Sequence, residues 1–350
     1  MTIHSSATGR RITFSAAAVI GVLLLSACAS AEATDVTSGA DSERLPAAEG
    51  NTEYPLTLTS ELGEIVIPER PERVVMTTSW DTDLFAGLGV APVGADAQVS
   101  FYPWAIEKFP VEIESTWPVG DVQYPAEKIA ATNPQLIVDT FPVDAESVAQ
   151  VESIAPVLGA PSEESTWQER ILFLGEALDL SDRAQQVIDD YDAAFETFRA
   201  DHPEFEGKTI DYLVYWGEAG TGFINTSGSD AEALFSDLGF APNPNAGNSS
   251  FEEGLSDELL GTLTGDVLLI SNQVEEAEFE KFYANPLIQG LDSVKEGRAL
   301  VLTLDQEDFT VSYNGEPTDF VGHFGRAFSV GPLSKVAIAD VIVPLLSDTL

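Results

Sequence analysis

The chain has 350 residues, with 58 Asp and Glu against 16 Lys and Arg, a formal net charge of −42, three His and a single Cys. So large an acid excess excludes nucleic acid and anionic lipid surfaces as partners and favours neutral or cationic ligands. One cysteine excludes an internal disulfide, and the scarcity of His and Cys argues against a dedicated zinc or manganese site.

In chain order, Arg10 and Arg11 precede the apolar run "FSAAAVIGVLLLSAC" (Phe14–Cys28), which is too short for an ordinary spanning helix, so residues 1–27 read as a secretion signal. Its end, Leu25-Ser26-Ala27-Cys28, resembles a bacterial lipobox. The resemblance implies cleavage before Cys28, diacylglycerol on its thiol, and a protein lipid-anchored to the outer face of the cytoplasmic membrane. Residues 28–52 are rich in Ala, Ser, Thr, Asp, Glu and Gly with almost no large apolar side chain, and they are expected to form a flexible tether.

Residues 53–178 read as an α/β lobe. "YPLTLTSELGEIVIP" (Tyr54–Pro68) alternates as a hairpin, "RVVMTTSW" (Arg73–Trp80) is a buried strand, and "DTDLFAGLG" (Asp81–Gly89) is a helix closed by Gly89. Strand and helix alternate on through "PAEKIAATNPQLIVDT" and "SIAPVLGAP". The pattern then changes to long amphipathic stretches, and residues 179–203 are expected to be a linking helix N-capped by Ser181. Its buried stripe is Leu180, Ala184, Val187, Ile188, Tyr191, Ala194, Phe195 and Phe198. Residues 204–350 read as a second α/β lobe, with strands in "KTIDYLVYW", "DVLLISN" and "RALVLTL" and a closing helix in "GPLSKVAIADVIVPLL".

Two echoes tie the lobes together. "LFAGLGVAP" (Leu84–Pro92) is repeated as "LFSDLGFAP" (Leu234–Pro242), and "EKIAATNPQLIVDT" (Glu127–Thr140) has the rhythm of "ELLGTLTGDVLLIS" (Glu258–Ser271). The fold class is therefore α/β, two similar lobes joined by one long helix. This layout, with "IPERPERVV" (Ile67–Val75), "VGDVQYPAEKIAATNPQLIV" (Val119–Val138) and "NPLIQGLDSVKEGRALVL" (Asn285–Leu302), resembles the substrate-binding lipoproteins of iron-siderophore ABC importers, a fold also used for haem and cobalamin. The resemblance implies a ligand cleft between the lobes and a monomer that captures a ferric siderophore there, needs no cofactor, and delivers its ligand to the importer permease. It also implies one acidic docking residue on each lobe, for which the second echo aligns Glu127 with Glu258.

Ligands of open α/β sheets bind outside the carboxyl ends of strands. The side chains there are Trp80, Phe101, Tyr102, Trp104, Tyr124 and Phe141 in the first lobe, and Tyr215, Trp216, Phe223, Asn272, Phe309 and Tyr313 in the second. Aromatic faces with a few polar donors suit a bulky ferric complex whose own ligands fill the iron coordination sphere. None of these segments carries an Arg, Lys108 and Arg170 being the nearest cations in the first lobe, so a hydroxamate is favoured over a tri-anionic catecholate. Haem is the rival ligand, with Tyr102, Tyr124, Tyr215, Tyr313 and His323 as available axial groups. A serine hydrolase using His323 is the enzyme alternative, but no G-x-S-x-G elbow surrounds any serine, and "GEAGTG" (Gly217–Gly222) reads as a turn.

Overall fold

In a computed structural model of the chain, residues 43–118, 124–141, 145–247, 254–328 and 331–350 are described. The signal and Cys28 lie outside them. The first half contains a hairpin, β1 (Leu56–Ser60) and β2 (Gly63–Ile67), then β3 (Val74–Met76), α1 (Thr82–Leu88), β4 (Gly94–Asp96), α2 (Pro103–Ile106), β5 (Ser115–Trp117), α3 (Ala126–Ala131), β6 (Leu136–Val138), α4 (Ala145–Val151) and β7 (Val157–Leu158). Then come α5 (Trp167–Leu178) and the longest helix, α6 (Ser181–Asp201). The second half contains β8 (Ile210–Tyr215), β9 (Thr221–Phe223), α7 (Asp230–Asp237), α8 (Asp257–Leu260), β10 (Val267–Asn272), α9 (Glu276–Tyr283), α10 (Pro286–Gln289), α11 (Asp292–Lys295), β11 (Ala299–Leu304), β12 (Thr310–Tyr313), β13 (Glu316–Val321), α12 (Phe324–Ala327) and α13 (Pro332–Thr349).

The first sheet is parallel throughout, in the order β5-β4-β3-β6-β7, so the chain reverses its direction of travel between β3 and β6. The second runs β13-β12-β11-β10-β8-β9, parallel at its centre (β8, β10, β11) and antiparallel at both edges. Continuous apolar runs such as "VVM" and "VLLISN" are buried on both faces, as central parallel strands must be. The expected α/β class with two sheets and a long helix is what the chain adopts.

The repeated nonapeptide is a repeated helix ending. Gly89 (φ 69°) and Gly239 (φ 101°) take the left-handed turn, and the next residue donates back five positions in each copy, Val90 N to Phe85 O at 2.8 Å and Phe240 N to Phe235 O at 2.9 Å. One apolar cluster then runs from Leu84 and Phe85 through Tyr191 and Phe195 of α6 to Tyr212, Phe324 and Ile338, so the halves share a core. Helix α13 packs against α1, α2 and α6 as well as β11 and β13.

Two expectations are corrected. The tether does not extend to residue 52: Arg44 is buried, donates to Glu112 O at 3.0 Å and pairs with Glu114 at 2.9 Å, while Asp179 accepts from the backbone N–H of Gly50, Asn51 and Thr52 at 2.8–2.9 Å. Composition counts apolar area and misses a segment held by polar bonds. Nor does Ser181 cap α6; it is the first helical residue, and the Glu49 carboxylate accepts from Asp182 N (2.7 Å) and Arg183 N (3.0 Å) instead. An acid brought from another segment does the work of an N-cap.

Candidate functional site

Strands β3 and β6 end side by side at the reversal point of the first sheet, where a crevice is expected. Trp80 follows β3 and Phe141 follows β6, with ring centroids 5.8 Å apart. They are held from below. Asp81, fully buried, accepts from the Thr140 hydroxyl and from Thr140 N at 3.1 Å, and burial pushes its carboxyl up to about 7 against the pull of those bonds. Arg170 of α5 donates to Thr140 O at 2.8 Å and lies 3.8 Å over the Phe141 ring. Buried Asp139 accepts from the Tyr124 hydroxyl and from Phe141 N at 3.1 Å.

The second sheet faces Trp80 with Trp216, which follows β8, and with α12. His323 N-caps α12, its Nδ1 accepting from Arg326 N at 3.3 Å. Burial, with Arg326 beside it, pulls the imidazole down to about 4, so it is neutral and its proton sits on Nε2. The Arg326 guanidinium donates to Gln98 Oε1 at 3.1 Å and lies 5.2 Å over Trp80 and 5.5 Å over Phe101. Between these groups is a cavity of about 470 Å³, lined by Trp80, Val214, Trp216, Ile224, Thr226, Asp230, Gln273, His323 and Arg326 among others. The Asp230 carboxylate on its wall is engaged by buried Lys335 at 2.9 Å. A larger groove of about 740 Å³ lies between α1, α2, α6 and α13, away from the strand ends. The smaller cavity is the candidate site, because both sheets deliver side chains to it and its apolar wall carries a few convergent donors.

Of the twelve aromatic and polar residues expected in the cleft, Trp80 and Trp216 line this cavity. Phe141 and Phe101 border it through Trp80 and Arg326. The Phe101 and Phe309 rings meet across the halves at 4.6 Å, tilted by 49°, and Trp104 packs on Phe320 at 4.7 Å while donating to Ser334 Oγ at 3.1 Å. Tyr102, Tyr124, Phe223 and Asn272 are 0–2 % exposed and belong to the interior, which corrects their reading as ligand contacts. Asn272 is used by its own loop, bonding both N–H and C=O of Val274. Tyr215 stacks on Phe282 at 3.9 Å, and Tyr313 packs against the core. Strand-end position alone does not say which way a ring turns.

Arg326, Gln273, Ile224 and Asp230 escaped the sequence reading, and His323 was noticed only as a haem or hydrolase group. The available signal was "GHFGRAF", where a His and an Arg stand at i and i+3 in front of a glycine-proline helix start. Three of the five groups available for haem are badly disposed for ligation: Nδ1 of His323 is occupied and Nε2 bears the proton, while Tyr102 and Tyr124 are interior. Glu127 on α3 and Glu258 on α8 are both exposed.

Residues 74–306 match the periplasmic binding protein family. The chain belongs to that family. It is accordingly a binding protein rather than an enzyme, and the hydrolase alternative falls. The Fe(3+)-citrate-binding protein YfmC of Bacillus subtilis (strain 168) is 26% identical over 300 residues, covering 84% of this chain and 90% of the relative. The Iron(3+)-hydroxamate-binding protein FhuD of the same strain is 22% identical over 287 residues, covering 80% and 87%. The crystal structure of Streptococcus pneumoniae TIGR4 PiaA in complex with ferrichrome superposes with a TM-score of 0.65 at 20% identity, covering 84% of this chain and 98% of that one. That likeness shows the fold. Among the described residues, no helix is long and apolar enough to cross a membrane.

Proposed function

We propose that this protein, acting as a monomer anchored through lipidated Cys28, captures a ferric siderophore outside the cytoplasmic membrane and hands it to an ABC importer. The observation that carries this reading is the cavity walled by Trp80 and Trp216 with Arg326 and His323 supplying N–H groups. Flat aromatic faces take the apolar exterior of a bulky iron complex, and the two donors meet its peripheral oxygens. The iron is cargo, and its coordination sphere is filled by the siderophore. The names of relatives that bind ferric citrate and ferric hydroxamate support the same class.

Within that class we favour a hydroxamate, on a revised charge argument. The strand ends supply no Arg, but Arg326 reaches the cavity from α12. One guanidinium, beside an Asp230 already engaged by Lys335, suits a hydroxamate or single carboxylate oxygen. A tri-anionic catecholate needs several such cations. Titration of tryptophan fluorescence with ferrioxamine B, ferric citrate, ferric enterobactin and haemin tests the reading. Ferrioxamine B is expected to bind tightest, and Arg326→Ala to weaken it about tenfold, or about 1.4 kcal/mol, without loss of heat stability. Tighter binding of ferric enterobactin or ferric citrate overturns the hydroxamate assignment, and tighter binding of haemin overturns the siderophore reading.

Glu127 and Glu258 are proposed as the permease-docking carboxylates. They stand at matching places, on the helix before β6 and the helix before β10, and rim charges of this kind govern association more than folding.

A further inference from the structure

Four non-glycine residues among those described have left-handed φ: Asn133 (49°), Asp179 (55°), Asn314 (52°) and Phe309 (60°). The first three are Asn or Asp, which tolerate that conformation through their short polar side chains. Phe309 does not belong to that class. It closes the connection between β11 and β12, where Asp305 accepts from the N–H of Glu307 (2.7 Å) and Phe309 (3.0 Å). A turn followed by one left-handed residue ordinarily places Gly or Asn there. The very next hairpin, whose two-residue turn is left-handed at both positions, fills them with Asn314 (φ 52°) and Gly315 (φ 79°). The turn therefore does not call for a phenylalanine, and the strain of placing one there is held by its surroundings.

Those surroundings reach across the molecule. The Phe309 ring lies 4.6 Å from Phe101, which belongs to the segment after β4 of the first sheet, and 6.4 Å from His323. His323 N donates to Phe101 O at 3.2 Å, and Gly322 N donates to Phe309 O at 2.9 Å. Phe101 also lies under the Arg326 guanidinium. Thus one wall of the cavity, His323 and Arg326, is fastened to the first half by the bonds to Phe101 O and Gln98 Oε1 and by the tilted contact of the Phe101 ring with the ring of the strained residue.

We propose that Phe309 is a positioning residue for ligand retention: its ring clasps Phe101, keeps the His323–Arg326 wall against Trp80, and so sets the rate at which a bound ferric complex escapes. This rests on the capture reading above. The clasp acts through other side chains, so its signature is kinetic: release accelerates while association is nearly unchanged.

The test compares Phe309→Gly, which removes the ring and supplies the residue the turn prefers, with Phe309→Tyr, which keeps the ring. Stopped-flow fluorescence with ferrioxamine B should give a dissociation rate about tenfold faster for Phe309→Gly, an association rate within about threefold, and parental kinetics for Phe309→Tyr. Melting of Phe309→Gly should stay within about 5 °C of the parent, because relief of strain offsets the lost ring contact. Spin labels at exposed Glu152→Cys and Glu280→Cys, with Cys28 replaced by Ser, should show a broader distance distribution in ligand-free Phe309→Gly. A dissociation rate within about twofold of the parent, or a larger fall in melting temperature, overturns the clasp and makes Phe309 an ordinary packing residue. If the parent binds no ferric complex, the capture reading fails by itself, and the ligand-free distances then decide the clasp, an unbroadened distribution overturning it.

Discussion

Asp83→Asn offers a measurement in which one buried carboxyl reports on the joint between the two halves. Asp83 stands in the first turn of α1 and is 0 % exposed, and its carboxylate caps α13 from outside, accepting from Ser334 N at 2.6 Å and from Ser334 Oγ at 2.9 Å. Burial pushes its carboxyl up from 3.8 to about 6, although the Ser334 and Leu333 donors and nearby Lys335 pull the other way. An acid with a raised folded-state pKa stabilises the fold fully below the unfolded value, near pH 4, and that contribution is lost as the pH rises through about 6. At about 1.4 kcal/mol per pH unit, the loss is roughly 3 kcal/mol. Asparagine is isosteric, can accept from Ser334 N and donate to Ser334 Oγ, and does not titrate. Urea unfolding of parent and variant between about pH 4.5 and pH 8 should thus show the variant gaining roughly 2 kcal/mol relative to the parent as pH rises, since about 1 kcal/mol of the loss falls below that window. The other buried carboxyls, Asp81 among them, titrate in both proteins and cancel from the difference. A parent-to-variant difference constant within about 0.5 kcal/mol across that range would refute the upward shift that burial imposes on the Asp83 carboxyl.

Gly322→Ala should cost about 3 kcal/mol or more, read by heat denaturation, since at φ 141° an added Cβ would enter the Trp104 ring and approach Phe101 O to 2.7 Å; an unchanged melting temperature would contradict this packing. Cys28→Ser should move the protein from the membrane fraction to the soluble fraction with ligand affinity unchanged, and persistence with membranes would end the lipid-anchor proposal. The Glu127→Lys, Glu258→Lys double variant should retain its stability and ligand affinity but abolish uptake of the iron complex by cells. Normal uptake would eliminate this pair as docking carboxylates.

The amino-acid order alone carried the α/β class, the long helix and the repeated helix endings, because each is written in contacts between residues a few positions apart. The spacing of apolar residues sets a helix stripe or a buried strand, and Leu-Gly marks a left-handed exit whether it stands at Gly89 or Gly239. Trp80 and Trp216 were locatable for the same reason, as residues leaving central strands. What the order could not decide was which way such a residue turns: Tyr124 faces inward because Asp139 is there to accept its hydroxyl, and Asn272 is taken by its own loop. Glu49 and Arg44 sit in a stretch whose one large apolar residue is Leu45, and only partners far along the chain give them work. The cavity wall rests on a long-range pair, Arg326 with Gln98 across 228 positions, and the joint between the halves on another, Trp104 with Ser334 across 230. Local spacing carries no record of such pairs; they exist only once the shared core has brought the two sheets and α13 together.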